Sequence, residues 1–108
     1  MGDVVDRYLD LAEKWGTAME NADPESANKL YKKLEKLYLS VATSGAEDRL
    51  LEHATTHYND SVRFLLASRL ADKAQAISLY KELAHSSLSF IAVSAEYILR
   101  ELLHSRTD

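Results

Sequence analysis

The chain has 108 residues, which is the length of one domain with a single hydrophobic core. Hydrophobic residues make up 46% of it and charged residues 28%, a composition typical of a globular chain rather than a disordered one. The formal net charge of −4 disfavours a general nucleic-acid-binding domain, and the lack of cysteine excludes disulfides, thiolate metal ligands and a cysteine nucleophile. The sequence contains no run of about 18 apolar residues, so we expect no membrane-spanning helix. The lack of cysteines and of an export signal favours the cytoplasm.

Apolar residues recur at helical spacing along nearly the whole chain, and this pattern predicts six helices. The first covers residues 3–21 and the second residues 24–43, with Pro24 at its first position. The third ends near His57–Asn59, the fifth begins after Asp72, and His85–Ser87 separates the fifth from the last. Since no segment shows the alternation of a strand, we expect an all-α fold of antiparallel helical pairs. We expect a single domain over residues 1–108, with a frayed polar tail at 105–108.

Polar residues at the predicted helix starts are suited to be N-caps, because their oxygens can accept hydrogen bonds from the unpaired amides of the first turn. The predicted single-residue caps are Asp3, Asp23 and Asp60, and Asp72 is predicted to cap the fifth helix as a pair with Gln75. Ser44 and Glu47 have the spacing of a capping box, which predicts that together they open the third helix.

A short motif lies in the middle of the chain, where the run Asn59-Asp60-Ser61-Val62-Arg63 is followed by Ala67 and Leu70. With this motif, the stretch Leu50–Leu70 resembles one HEAT-type repeat, and Phe90–Glu96 is similar to part of a following repeat. The resemblance implies a short HEAT-like α-α superhelix in which Arg63 pairs with an acidic group of a neighbouring repeat.

The layout is also similar to a family of small bacterial HEAT-like domains, some of which are encoded near toxins. This likeness implies an immunity-type protein that masks a toxin. Helical-repeat proteins commonly bind on a concave surface lined by the second helices of successive pairs. The aromatic and charged residues in those helices are the candidate partner contacts, with a structural or merely exposed role as the alternative for each: Arg63, Phe64, Arg69, Glu96, Tyr97 and Arg100.

Two charged stripes are predicted on the first two helices, each opposite an apolar face. The acidic stripe of the first helix consists of Asp3, Asp6, Asp10 and Glu13, and the basic stripe of the second consists of Lys29, Lys32, Lys33 and Lys36. The stripes indicate either solvated faces that exchange weak ion pairs or a surface that steers a charged protein partner.

His53 and His57 are four residues apart, so both imidazoles can lie on one helical face. Their spacing is that of a zincin helix, but Ala54 follows the first histidine where a metalloprotease has its general-base glutamate. A simple metal site would need a third ligand, for which Glu52 and Asp60 are the near candidates. We therefore predict no metal site and keep the two histidines as weak candidates.

These features favour a non-enzymatic protein-binding module, monomeric or homodimeric, with no cofactor and no catalytic residues. The serines after His85 lack a Gly-x-Ser-x-Gly elbow, and the chain has no glycine-rich phosphate loop. Two alternatives stay open. One is a small-molecule or nucleic-acid-binding domain with His53, His57 and Arg63 facing a cavity. The other is a structural domain that associates with itself through the open ends of its helical stack.

Overall fold

The computed structural model describes residues 3–104, and within that range the chain forms six helices and no strand. The all-α prediction is therefore confirmed for this part of the chain. The helices are α1 (Val4–Glu20), α2 (Pro24–Thr43), α3 (Glu47–Thr56), α4 (Asp60–Ala67), α5 (Lys73–Leu83) and α6 (Ser89–His104). The predicted tail at 105–108 lies outside the described residues.

Three helices begin at the caps that the sequence predicts. The Asp3 carboxylate accepts a hydrogen bond from the Asp6 amide at 3.0 Å, and Asp23 accepts one from the Ser26 amide at 3.2 Å. Asp72 likewise accepts one from the Gln75 amide at 3.2 Å. Each bond satisfies one of the amides that a helix start leaves unpaired.

The cap of α4 is Asn59, so the prediction that Asp60 caps this helix is wrong. Asn59 has an extended backbone, and its Oδ1 accepts hydrogen bonds from the Ser61 and Val62 amides at 2.9 and 3.2 Å. An N-cap must stand outside helical geometry, whereas Asp60 is already the first helical residue. Its carboxylate is free to bind Arg63 and Ser86 instead.

The predicted capping box of Ser44 and Glu47 is also wrong, because this segment ends α2 rather than opening α3. Gly45 has a left-handed φ of 79°, and its amide donates a hydrogen bond to the Ala42 carbonyl at 3.2 Å. The Ala46 amide donates to the Val41 carbonyl at 3.0 Å. This pair of bonds is the Schellman motif, which closes a helix C-terminus. The N-cap of α3, Ala46, makes no side-chain cap bond, and Glu47 accepts a hydrogen bond from Tyr38 instead.

The helices pack as three successive pairs, and α4 contacts α1, α3, α5 and α6. Tyr8, early in α1, and Tyr38, late in α2, have ring centroids 6.1 Å apart, so this pair is antiparallel. The pairs are joined by aromatic contacts in the core: Trp15 of α1 stacks on Phe64 of α4 and meets Phe90 of α6 edge-on. One continuous core therefore spans all six helices.

Candidate docking surfaces

Arg63 bridges three helices rather than facing an open surface. Its guanidinium donates to the Glu82 carboxylate at 2.7 Å and lies 3.4 Å from that of Asp60, while its Nε donates to the Ala54 carbonyl at 3.4 Å. Only 15% of the side chain is exposed. The expected ion pair with an acidic residue of the next helical pair is present, and the guanidinium is occupied within the chain.

Phe64 is half-buried and contributes to the core. Its ring lies parallel to that of Trp15, with centroids 6.4 Å apart, and meets the Tyr80 ring edge-on at 6.2 Å. Aromatic pairs in these geometries add stabilisation beyond the area they bury. Phe64 thus connects α4 to both α1 and α5, and the packing gives it a structural role.

Arg69, just after α4, reaches back to α2. It donates to the Glu35 carboxylate at 2.6 Å, and its guanidinium carbon lies 4.2 Å from the centre of the Tyr38 ring. Tyr38 donates its hydroxyl hydrogen to Glu47, and burial together with this carboxylate raises the pKa of Tyr38 to about 12. A cation over a ring and a neutral phenol beside a carboxylate are both favourable, so this cluster fixes the end of α4 against α2.

The other three candidate contacts lie together on the outer face of α6. Glu96 and Arg100 form an ion pair at 2.5 Å along the helix, and both side chains are more than half exposed. Tyr97, beside them, is 65% exposed, and Val93, one turn earlier, is 69% exposed. Of the six candidates, the structure therefore places three inside the helical assembly and brings three together on one surface.

His53 and His57 share a face of the chain, with ring centroids 5.8 Å apart. The Nδ1 atom of His57 accepts the Asn59 amide hydrogen at 3.0 Å, and its Nε2 lies 3.8 Å from a Glu13 carboxylate oxygen. Burial lowers the pKa of His57. Within residues 3–104, no group of three or more histidine, cysteine, aspartate or glutamate side chains could hold a metal ion. The nearby acid is Glu13, on another helix, which spacing along the chain could not reveal.

The charged stripes of α1 and α2 do not form ion pairs with each other among the described residues. At the ends of the acidic stripe, Asp3 binds Arg49 at 2.9 Å, and Glu13 accepts the Tyr58 hydroxyl at 2.9 Å. In the basic stripe, Lys29 pairs with its own helix through Glu25 at 3.4 Å. Within the acidic stripe, Asp10 likewise pairs along its own helix, with Lys14 at 3.1 Å.

Four residues of the two stripes, Asp6, Asp10, Lys33 and Lys36, line an open groove of about 640 Å³ between α1 and α2. Half-buried Leu11 and Leu37 form its apolar floor. The charged and polar residues around this floor are Asp6, Arg7 and Asp10 of α1, and Lys33, Lys36 and Ser40 of α2. We call this site the α1–α2 groove; the two stripes were its signal in the sequence, but the groove itself depends on how the helices pack.

Among residues 3–104, no helix has both the length and the apolar composition that a membrane span requires. Comparisons with protein-family models, with curated proteins and with solved structures found no match for this chain.

Proposed function

We propose that this protein is a non-enzymatic protein-binding module that holds an amphipathic helix of its partner in the α1–α2 groove. The observation that carries the proposal is the combination of surfaces in this groove. An apolar floor of Leu11 and Leu37 lies between α1, which contributes two acidic side chains and Arg7, and α2, which contributes two basic side chains. Helix-in-groove docking uses such a combination, because apolar anchors enter the groove while charged flanks meet its rims.

The size of the groove suits a short helix. Its lining extends over Asp6–Leu11 of α1 and Lys33–Ser40 of α2, about two helical turns of each. A partner helix of about three turns would place two or three apolar side chains on the floor at i, i+3 or i+4, and i+7. Its basic flank would lie along α1 and its acidic flank along α2. Complementary charge of this kind mainly raises the association rate and selects the partner.

The mixture of acidic and basic side chains in the groove favours a protein over the alternatives. Asp6 and Asp10 interrupt the basic residues of the lining, whereas nucleic-acid binding favours a uniformly basic surface. Three clefts are lined by residues within 3–104, and His53, His57 and Arg63 line none of these three. These clefts therefore give no support to the small-molecule alternative built on those residues. The HEAT-like resemblance implies a bacterial toxin as the partner, masked when bound.

The experiment compares two double charge reversals on the same helix. Lys33→Glu with Lys36→Glu changes the groove, whereas Lys29→Glu with Lys32→Glu makes the same change in net charge outside the groove lining. A partner captured by the wild-type protein from the native host is purified, and its affinity for all three proteins is measured by calorimetry.

We expect the groove variant to bind at least about tenfold more weakly, because two attractive contacts become repulsive, while the control stays within about twofold of wild type. The loss should be larger at low salt, since exposed charges are screened at high salt. Wild-type affinity in the groove variant, or no captured partner at all, would contradict the proposal.

A further inference from the structure

A second surface, independent of the α1–α2 groove, lies on the outer face of α6. Ile91 and Ala95 are buried on the inner side of this helix, which packs against α5 and α4. The outer side carries a stripe of exposed residues spaced 4, 3, 4 and 3 apart: Ser89, Val93, Glu96, Arg100 and Leu103. This is the spacing of a seam along which two helices pack.

The stripe is complementary to itself when it is reversed. Glu96 and Arg100 lie at equal distances on either side of position 98, and so do Val93 and Leu103. If two α6 helices lie antiparallel and cross at this position, Glu96 of each faces Arg100 of the other, and Val93 of each faces Leu103 of the other. The apolar residues are 69% and 41% exposed, so both have surface to bury in such a contact.

We propose that α6 is a self-association surface and that its occupant is the α6 of a second copy of this chain, antiparallel and related by twofold symmetry. A parallel pair would place Glu96 against Glu96 and Arg100 against Arg100, and like charges directly opposed are destabilising. In the antiparallel pair, the ion pair that each helix already forms at 2.5 Å joins its symmetry mate in a cluster of four alternating charges. Exposed Tyr97 lies beside the seam and extends the apolar contact.

The size of the surface sets the expected strength. A helix of 16 residues is about 24 Å long, so an α6–α6 contact is smaller than the standard protein interface of about 1,600 Å². We therefore expect a weak, concentration-dependent dimer. The inference does not rest on the proposed function, because no residue of the stripe lines the α1–α2 groove.

The test uses two single charge reversals and their mixture. Glu96→Arg gives positive charge at both positions of the seam, and Arg100→Glu gives negative charge at both. Each variant alone should repel itself, whereas an equimolar mixture restores an attractive pair at both contacts. Sedimentation velocity is measured from about 10 µM to about 1 mM, the range in which a weak dimer dissociates.

We expect the wild-type protein to shift from monomer to dimer over this range, each variant alone to associate at least about tenfold more weakly, and the mixture to recover the dimer. Both variants lose the same ion pair within α6, so a fold defect could not be repaired by mixing them. The Lys33→Glu, Lys36→Glu variant should dimerise like wild type, which separates this result from that of the groove. A wild-type monomer at every concentration, variants that dimerise like wild type, or a mixture that stays monomeric would overturn the inference.

Discussion

His57 illustrates how the fold sets the charge of a single residue. Its side chain is 9% exposed, and its Nδ1 accepts a hydrogen bond from the Asn59 amide. Burial lowers the pKa of His57, the Glu13 carboxylate opposes this shift, and the neighbouring His53 adds to it. The net effect favours the neutral imidazole in the folded protein.

The free energy of unfolding should therefore depend on pH through His57. Because its pKa is lower in the folded state, its contribution is complete above the unfolded value of about 6.5 and is lost as the pH falls below it. In His57→Asn, the amide oxygen can still accept the Asn59 hydrogen, but the side chain does not titrate. Urea unfolding between about pH 5.5 and pH 7.5 should give a shallower pH dependence for the variant than for wild type. Equal slopes would contradict this assignment.

At the scale of single helices, α1 and α2 end in the same way with different residues. Gly45 follows α2 with a φ of 79°, and Ala22 follows α1 with a φ of 54°. Both turns are Schellman motifs. The Asp23 amide donates to the Ala18 carbonyl at 2.9 Å, and the Ala46 amide donates to the Val41 carbonyl in the same way. Left-handed backbone is strained for alanine but not for glycine, so α1 ends with a residue less suited to its position.

Exchanging the two residue types should change stability in opposite directions. We expect Ala22→Gly to raise the free energy of unfolding by about 0.5 kcal/mol, because relief of strain exceeds the added freedom of the unfolded chain. Gly45→Ala should lower it by about 1 kcal/mol. Both positions are exposed and a Cβ at Gly45 meets nothing within 4 Å, so packing does not obscure the comparison. Urea denaturation of the two variants checks the signs, and a loss of stability in Ala22→Gly would show that strain is not the controlling effect.

For the molecule as a whole, the close approach of α1 to α4 holds the first helical pair against the rest. Gly16 of α1 and Ser61 of α4 are both buried, and a Cβ built at Gly16 would overlap the Ser61 side chain. Alanine normally stabilises a helix interior relative to glycine by about 1 kcal/mol. Here the contact between helices outweighs that preference, because either the Ser61 side chain or one of the helices would have to move.

Gly16→Ala should therefore destabilise the protein, by about 1–3 kcal/mol, the usual cost of overpacking. Adding Ser61→Gly makes room for the new methyl group, so the double variant should be more stable than the sum of the single effects implies. We expect a coupling energy of about 1 kcal/mol or more in a double-mutant cycle measured by urea unfolding. Additive effects would mean that α1 and α4 can separate freely at this crossing.

Local sequence patterns predicted the six helices because periodicity and caps act over a few neighbouring residues. They failed where the same short segment allows two assignments of a helix end. Asn59 and Asp60 are both good caps, and only the backbone at Asn59 stays extended. Ser44 and Glu47 have capping-box spacing, but the left-handed Gly45 between them completes the end of α2.

For the candidate sites too, the local sequence indicates the residue types, and the packing of the helices decides their contacts. The charges of α1 and α2 were visible as stripes, but only their packing separates residues that bind α3, such as Asp3, from residues that line the groove, such as Asp6. Arg63 and Phe64 had the chemistry of partner contacts, yet internal partners occupy both.

By itself the sequence determined the all-α class and which residue types each helix could offer, because both follow from spacing along one chain. Only the tertiary structure decided which charged and aromatic side chains find partners within the protein and which stay exposed. That outcome depends on contacts between residues far apart in sequence, such as Glu13 with Tyr58 and Glu35 with Arg69. Such contacts form only when the helices pack around a common core, so no local pattern encodes them.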